Sequence, residues 1–445
     1  MTDSVIVALV AFVALWGAKK SFWVGFLLYF AHVVTAWQMP EGIYIGQFAG
    51  LAVSLADILF VVSIALAATH YKRVSIFMGK TKAPFLLFFG LTLVALVRGV
   101  TTFGLSAAVN EARLVLYFIG AILWFAYQAS VLKVGQATWA RAYFISGVSV
   151  LTVEISNVAA HGFGDSRTGV QLSTNLIQTQ RPLVSIQALF LLSVVTFFVF
   201  YKAKSKITNQ MRIWFAITCL IAILISQQRS VWLATLATLG VLLCSQFTRK
   251  LSLVFISCLA FLLLVISQTS FGQSTLSKAL SESFTDNATL VARTGSWEQY
   301  LSSMSNASPI DYLIGRPFGS GWGRYDGLSN LWVEFNPHNW YLIALLRTGV
   351  VGLVVTVLFI ILRTISKTSD RQIVVENIAF QVQSLVFQFF YPAAWQVPQL
   401  YGSKKQPEPE GSGSLIKPKA PVRRKIYEQS DALSKREKRF STDWF

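Results

Sequence analysis

The residues of this chain best suited to act on a substrate are arginines and a histidine in its C-terminal half. His338 follows Pro337 at the start of an apolar run that extends to residue 362. The N–H groups and dipole of a helix N-terminus attract anions, and an imidazole there could act as a general base or contact a phosphate. The alternative is an interfacial histidine that caps the helix. Arg347 lies within the same run, where an arginine usually faces the bundle interior or a partner.

A second basic site lies in the short turn Ser226–Ser230 between two apolar runs. Arg229 in so tight a turn must stay near the mouth of a helix bundle. Its planar guanidinium could bind phosphate, or its side chain could extend to lipid headgroups. Arg98, Glu111 and Arg113 form a further charged group that we expect on the same side of the protein.

The segment 268–337 is 70 residues long and separates two apolar regions. Loops of this length without a function of their own are uncommon. It combines aromatic residues with arginines: Trp297, Trp322, Trp332, Tyr300, Tyr312, Tyr325, Arg293, Arg316 and Arg324. Flat aromatic faces beside charged groups suit carbohydrates, which present C–H faces and hydroxyl edges. An amphipathic segment lying on a membrane would have a similar composition, so both interpretations stay open.

Two other patterns argue against nucleotide and metal chemistry. The glycine-rich stretch Gly315–Gly323 permits tight turns, but its spacing differs from that of nucleotide-binding loops. The four histidines are His32, His70, His161 and His338. They are scattered over different segments, so the sequence predicts no metal site.

The composition shows what must position these residues. Hydrophobic residues make up 54% of the 445 residues, charged residues 13%, and the mean hydropathy is +0.55. A soluble protein carries about 25% charged residues. The sequence therefore predicts an all-α polytopic membrane protein, a bundle of about 11–13 transmembrane helices with one long external loop. The apolar runs are 4–18, 21–37, 43–69, 83–97, 113–130, 139–160, 183–200, 211–227, 230–247, 251–267 and 338–362.

The distribution of charge predicts the orientation. One set of alternate loops carries seventeen Lys and Arg residues against one acid, Asp370. The other set, which includes 98–113 and 268–337, carries nine basic and nine acidic residues. Since cytoplasmic loops concentrate Lys and Arg, the first set is expected inside and 268–337 outside. The net charge of +18 is then mostly an orientation signal and requires no nucleic-acid partner.

Four regions follow from this arrangement. Residues 1–267 are predicted to contain transmembrane helices 1–10, 268–337 the long external loop with catalytic elements, and 338–401 the C-terminal transmembrane helices. Residues 402–445 have the Pro, Gly and basic composition of a disordered cytoplasmic tail. A helical hairpin over 372–401 would bring that tail to the cytoplasm, whereas a single crossing would not.

Five motifs resemble those of one family. They are Gln228–Ser230, Arg293–Trp297, Gly315–Trp322, Pro337–Tyr341 and Arg347–Gly352. Their order, spacing and expected external placement are similar to those of the O-antigen ligase and O-antigen (exopolysaccharide) polymerase superfamily of membrane glycosyltransferases.

This resemblance implies a GT-C-like fold and the transfer of a glycan from an undecaprenyl diphosphate carrier to an acceptor hydroxyl. It implies neither a nucleotide sugar, a metal nor another cofactor. By the same resemblance, Arg229 and Arg293 match arginines that hold the diphosphate, and His338 matches a histidine that acts as base or diphosphate contact. Substrate-binding roles are predicted for a further set: Arg316, Arg324, Arg347, Trp297, Trp322 and Asn339.

The resemblance leaves the acceptor open. A polymerase extends another lipid-linked repeat unit and is the favoured interpretation; a ligase transfers the finished glycan to lipid A-core or another acceptor. A lipid-linked glycan transporter is the hypothesis from another class. The expected partners are the undecaprenyl diphosphate-linked glycan, membrane lipids, and a chain-length regulator or flippase of the same pathway. The expected location is the bacterial cytoplasmic (inner) membrane, with the active site facing the periplasm or exterior.

Overall fold

The structure, a computed structural model, is predominantly helical and confirms an all-α polytopic membrane protein. It describes residues 2–35, 43–162, 181–200, 206–244, 248–268, 288–325, 332–334, 337, 339–364, 375, 378–380 and 382–383. The predicted tail 402–445 and most of 372–401 lie outside this part of the chain.

The described part of the first half consists of helices and a β-hairpin. Its elements are α1 (Thr2–Lys20), α2 (Phe22–Thr35), β1 (Tyr44–Phe48), β2 (Leu51–Ser54), α3 (Leu55–Thr69), α4 (Tyr71–Met78), α5 (Lys82–Phe103), α6 (Leu105–Ser130) and α7 (Gln136–His161). A short 3-10 turn, Gly79–Thr81, joins α4 to α5.

The second half contains the elements of the long loop and the helices on either side of it. These are α8 (Ser185–Phe200), α9 (Lys206–Ile225), α10 (Arg229–Cys244), α11 (Arg249–Ser267), α12 (Ala288–Ser305), α13 (Pro309–Ile314), β3 (Gly323–Tyr325), β4 (Trp332–Glu334) and α14 (Trp340–Thr364).

Four helical stretches of the described chain are long and apolar enough to cross a membrane: Tyr71–Phe103, Leu105–Ser130, Ala137–Ala160 and Trp340–Leu362. Five shorter apolar helices accompany them, each of 10–17 residues. The total of about 11–13 spans and the division into four regions stay predictions.

The predicted span over 43–69 is wrong in its first part, which forms the hairpin β1–β2. Ser54 ends β2 and caps α3: its hydroxyl accepts from the Asp57 N–H at 3.3 Å, and the Asp57 carboxylate accepts from the Ser54 N–H at 2.8 Å. This capping box fixes where the helix begins. From α6, Arg113 donates to the Ala52 carbonyl and to the Asp57 carboxylate. The apolar content of 43–69 predicts one span because it is insensitive to the few polar hydrogen bonds that end the hairpin and begin the helix.

The predicted external loop 98–113 is also wrong. Helix α5 continues to Phe103 and α6 begins at Leu105, so Gly104 alone links them. Arg98 and Glu111 are therefore helical residues near this link rather than members of a loop. A helix can carry such charges near a membrane when another part of the protein supplies their partners.

The core of the bundle is built around α6, in which every residue from 118 to 128 is buried. Aromatic rings dominate the contacts. Phe118 packs against Trp340 of α14 with 4.5 Å between ring centroids, and the Trp124 indole occupies the space beside Gly25 of α2. Such close approach gives the dispersion contacts that hold transmembrane helices together.

Helix α14 is interrupted at Gly349, whose φ of 69° and ψ of −174° are not helical. The chain preceding α14 packs into this interruption. Gly315 lies against the backbone of Arg347, and the Arg316 N–H donates to the Leu346 carbonyl at 2.8 Å. A helix break inside a membrane protein requires such substitute partners, because its freed backbone groups cannot reach water.

We expect Gly349→Ala to lower the free energy of unfolding by about 1–3 kcal/mol, because only glycine readily adopts this backbone conformation. The added methyl group would also meet the Leu313 carbonyl. Denaturant unfolding of the detergent-solubilised protein measures the change.

Gly240→Ala in α10 is the matched control, since nothing lies within 4 Å of the added methyl group. Alanine is favoured over glycine in a helix, so this variant should unfold at the same or a higher denaturant concentration. Equal destabilisation by both substitutions would contradict a special role for Gly349.

Candidate active site

A buried ion pair joins α6 to the interrupted helix α14. Nη2 of Arg347 forms an ion pair with Oε1 of Glu111, and the two side chains are only 2% and 7% exposed. Removing both charges from water costs several kcal/mol per ion. The pair is therefore stable only if further hydrogen bonds satisfy the remaining polar atoms.

The glycine-rich loop 315–321 supplies these bonds to the acid. The N–H groups of Gly319 and Gly321 both donate to Oε2 of Glu111, at 2.7 Å and 3.0 Å. Both glycines have positive φ, 93° and 78°, which turns their N–H groups toward one point. Successive backbone N–H groups in such conformations form an anion-binding concavity. The loop thus binds a carboxylate of the protein itself.

The same loop also surrounds the arginine. Arg347 donates to the Ser320 hydroxyl at 2.6 Å, the Pro317 carbonyl at 3.2 Å and the Gly321 carbonyl at 2.7 Å. Its guanidinium also stacks on Trp322, 4.1 Å from the ring centroid. Arg347 is therefore held by three different groups of the loop as well as by its acid.

Helix α5 anchors the start of this loop. Arg98 donates to the Gly315 carbonyl at 2.8 Å and to the Asp311 carboxylate at 2.5 Å. Phe318 is fully buried, and its N–H donates to the Ala95 carbonyl at 3.2 Å. Partial burial raises the pKa of Asp311, but hydrogen bonds from Arg98 and a serine outweigh this effect, so the pKa lies below its usual value. The pair is ionised at neutral pH.

A cavity of about 380 Å³ opens beside the ion pair. It is lined by three arginines, two tryptophans and polar groups of the long loop: Gln299, Tyr300, Ser303, Arg316, Ser320, Gly321, Trp322, Gly323, Arg324, Trp332, Glu334, Leu346 and Arg347. Its volume falls in the range of about 300–1,000 Å³ typical of small-molecule sites.

One wall of the cavity is organised by Tyr300 of α12. Its hydroxyl accepts from Arg324 at 3.0 Å and donates to the Trp322 carbonyl at 2.7 Å. The Arg324 guanidinium also lies 5.4 Å from the Tyr300 ring centroid. Burial raises the pKa of the Tyr300 phenol, although Arg324 acts in the opposite direction. The phenol is therefore protonated at neutral pH and keeps its donor hydrogen.

The hairpin β3–β4 forms the rim. The side-chain amide of Gln299 pairs with the backbone of Tyr325, donating to its carbonyl at 2.8 Å and accepting from its N–H at 3.0 Å. Trp332 packs over Gly323 and against Tyr325, yet Trp332 and Tyr325 are 58% and 52% exposed. Trp332 thus lines the arginine-lined cavity with an exposed ring, and Tyr325 presents a second exposed ring beside it.

The structure brings together four of the residues predicted to bind substrate. Arg316, Arg324, Arg347 and Trp322 line the same cavity, although 31 residues separate the first from the last. Arg316 reaches it from the loop and donates to the Ser303 carbonyl at 2.5 Å. That these four side chains bind a substrate stays a prediction.

Two other predicted residues make structural contacts. Trp297 packs against a small cluster that includes Tyr300 and Met304. Asn339 caps α14, since its side-chain oxygen accepts from the N–H groups of Tyr341 and Leu342 at 3.0 Å and 3.1 Å. Such a cap is the usual role of asparagine at a helix start, and their predicted substrate contacts remain untested.

The three residues predicted as catalytic lie partly outside the described chain. His338 is not described, and Arg293 is described only as a backbone position of α12. Arg229 begins α10, directly after Gln228, whose amide oxygen accepts from Arg181 at 3.2 Å. Arg229 is not among the described residues that line the cavity. The three catalytic assignments therefore stay predictions.

Sequence reasoning missed how Glu111 and Gln299 contribute. The sequence predicts Glu111 in an external group with Arg98 and Arg113, whereas it pairs with Arg347. One signal was present: Glu111 is the only acid in α6, and Arg347 lies in another apolar helix. Two opposite charges in apolar helices favour pairing. For Gln299, which pairs with a backbone, the sequence carries no comparable signal.

Among the residues that the structure describes, no group of three His, Cys, Asp or Glu side chains could hold a metal ion. The bundle, the interrupted helix and the arginine-lined cavity define a polytopic membrane protein with a polar site built by one long loop. Residues 214–357 match the O-antigen ligase family, which confirms the resemblance to the O-antigen ligase superfamily over this part of the chain. Members of this family are glycosyltransferase-like ligases and polymerases. No curated protein matches the chain.

The matched region contains every residue described as lining the cavity, but not all of the residues that support it. It includes Arg229, Arg293, loop 315–321 and Arg347, whereas Glu111 and Arg98 precede it. The helices α5 and α6 thus contribute to a site whose family signature lies elsewhere in the chain.

We expect Glu111→Gln and Arg347→Met each to lower the free energy of unfolding by about 3–5 kcal/mol, because each leaves a buried charge without its partner. The double variant should lose less than the sum of the two, since it leaves no uncompensated charge. A double-mutant cycle of denaturant unfolding in detergent measures this coupling.

The pair Arg98–Asp311 is the matched control, with side chains 32% and 25% exposed. Its coupling should be below about 1 kcal/mol, because solvent screens exposed pairs. Additive losses for Glu111 and Arg347 would contradict the dependence of the loop on this ion pair.

The lowered pKa of Asp311 predicts a small loss of stability in acid. Its contribution is complete above the ordinary carboxyl pKa of about 3.9 and is lost as the pH falls through the lower pKa of the folded state. Wild-type protein should therefore lose stability faster than Asp311→Asn between about pH 5 and 3. Parallel unfolding curves for the two proteins over this range would contradict the assignment.

Proposed function

We propose that this protein is a polysaccharide polymerase that transfers glycan repeat units from undecaprenyl diphosphate carriers to an acceptor sugar hydroxyl. The match of residues 214–357 to the O-antigen ligase family carries this proposal. The arginine-lined cavity with exposed aromatic rings, described for the same region, supports a glycan substrate. The reaction takes place at the outer face of the cytoplasmic membrane.

In the proposed reaction, the acceptor hydroxyl oxygen forms a bond to the anomeric carbon of the donor as the bond from that carbon to the diphosphate oxygen breaks. His338 takes the hydroxyl proton. The bonding electrons leave with the undecaprenyl diphosphate. Arg229 and Arg293 stabilise the negative charge on this leaving group, as preorganised cations do for developing charge in transition states.

The cavity would hold the glycan beside this reaction. Trp332 and Tyr325 offer exposed aromatic faces for the C–H surfaces of sugars, and Arg316 and Arg324 offer donors for hydroxyl or acidic groups. The ion pair of Glu111 with Arg347 supports the floor of the cavity. The donor is lipid-linked, so the proposal needs no cytoplasmic nucleotide sugar.

A ligase that transfers the finished glycan to lipid A-core or another acceptor is the second candidate. Both activities belong to the same superfamily. We favour the polymerase because the motifs are most similar to those of exopolysaccharide polymerases. A transporter of lipid-linked glycan is less favoured, because the distinctive polar groups cluster in the long loop.

We expect Arg229→Ala, Arg293→Ala and His338→Ala each to reduce the glycan product by about 10²–10³-fold, the usual effect of losing one electrostatic partner of the transition state. Gel analysis of surface glycan measures product, and immunoblotting of membranes measures the amount of protein. Arg73→Ala is the control, since Arg73 is an exposed residue of α4 outside the cavity. Near-normal glycan in all three variants would refute the proposed catalytic set.

Deletion of the protein distinguishes the two transfer reactions. Surface glycan limited to a single repeat unit would indicate a polymerase, and long chains retained on undecaprenyl diphosphate would indicate a ligase. Purified protein in liposomes tests the third candidate. Movement of lipid-linked glycan across the bilayer without elongation would favour a transporter and overturn the proposal.

A further inference from the structure

We propose that the cavity between α12, loop 315–321 and the hairpin β3–β4 binds an acidic sugar, a pyranose unit that carries a carboxylate. The inference rests on the proposed function, because it names a class of glycan for the same site. It is carried by the juxtaposition of Arg316, Arg324 and the exposed Trp332 ring around one cavity, with the exposed Tyr325 ring packed against Trp332.

The charge of Arg316 is the first observation. The guanidinium donates to the Ser303 carbonyl at 2.5 Å, and no described carboxylate lies within ion-pairing distance of it. Arg347, by contrast, is neutralised by Glu111. Among the described residues Arg316 thus brings a positive charge without an ion-pair partner to the cavity, which favours an anionic ligand.

Arg324 is held in a way that directs its guanidinium. The Tyr300 hydroxyl accepts one of its N–H groups at 3.0 Å, and the ring of Tyr300 lies against its planar face. An arginine with its orientation fixed in this way loses less side-chain freedom when it binds. Its planar fork matches the geometry of a carboxylate, to which two parallel hydrogen bonds can form.

The mouth of the cavity has the features of a sugar-binding surface. The Trp332 and Tyr325 rings meet edge to face with centroids 5.2 Å apart, and both are more than half exposed. Gln299 and Ser303 add polar groups to the wall. A ring with C–H faces, hydroxyls and one carboxylate would engage the aromatic, polar and cationic parts together.

A carboxylate at the rim of the cavity favours an acidic sugar over a diphosphate, although both ligands can bind arginine. Glu334 lines the same cavity and is exposed. Its carboxylate accepts hydrogen bonds from sugar hydroxyls but repels a compact group in which several negative charges lie close together. A pyranose unit with one carboxylate and several hydroxyls satisfies groups of both signs, and so we assign the acidic sugar rather than the diphosphate.

Isothermal titration calorimetry on the purified full chain in detergent tests the proposal. The ligands are trigalacturonate, the neutral trisaccharide maltotriose and inorganic pyrophosphate. Trigalacturonate should bind at least about tenfold more tightly than maltotriose, as expected for the loss of one charge-assisted contact. Arg316→Gln and Arg324→Gln should each remove this preference, whereas Arg316→Lys should keep part of it. The control Arg73→Gln should bind like the wild type.

Three results would overturn the proposal. These are equal affinity for the acidic and neutral trisaccharides, an acidic preference that survives both glutamine variants, and pyrophosphate binding that depends on Arg316 and displaces trigalacturonate. The last result would identify a diphosphate site. If the glutamine variants do not fold, the salt dependence of the wild type decides: trigalacturonate affinity should fall with added salt while maltotriose affinity does not change.

The outcome is separable from that of the proposed function. Loss of glycan on deletion together with equal trisaccharide binding would refute the acidic sugar and leave the glycosyltransferase in place. Normal glycan on deletion together with selective trigalacturonate binding would refute the polymerase and leave the site.

Discussion

The structure depends on one constraint: the buried charges of Glu111 and Arg347 must be satisfied away from water. An ion pair alone does not offset the cost of desolvating both groups. The loop 315–321 therefore bends into the bundle and provides two N–H groups to the acid, with two carbonyls and a hydroxyl to the arginine. These bonds set the conformation of the loop. The break of helix α14 at Gly349 provides the space in which the chain at the start of the loop packs.

The contacts that satisfy these two buried charges also fix the geometry of the cavity. Arg347 pairs with the acid and also supports Trp322 from below, so the floor of the cavity is part of a transmembrane helix. Tyr300 then links Trp322 to Arg324, and Gln299 holds the hairpin. Sites supported by regular elements keep their geometry better than sites carried by loops alone. Because the long loop of this protein packs into the bundle, its side chains are held by regular helices.

The sequence predicts the fold class and several lining residues well, since apolar runs and arginine–aromatic motifs are local signals. It predicts the connections less well. The predicted span 43–69 includes the start of α3, but this helix begins at a capping box of Ser54 and Asp57 after a hairpin, because caps depend on single hydrogen bonds. The sequence also does not predict the one-residue link at Gly104 or the pairing of Glu111 with loop 315–321. Partners separated by 208 residues, as Glu111 and Gly319 are, leave no periodic pattern to detect.

The same separation has a consequence for biogenesis. Glu111 emerges from the ribosome long before Gly319, and at about 5–20 residues per second the delay is roughly 10–40 s. During this time α6 carries an acid that has none of its native partners. The end of α6 that carries Glu111 must remain accessible to water, or to some other partner, until the later helices arrive. Residues in the last third of the chain therefore complete the packing of a helix that is synthesised in the first third. The helices of this membrane protein cannot reach their final positions simply in the order of synthesis.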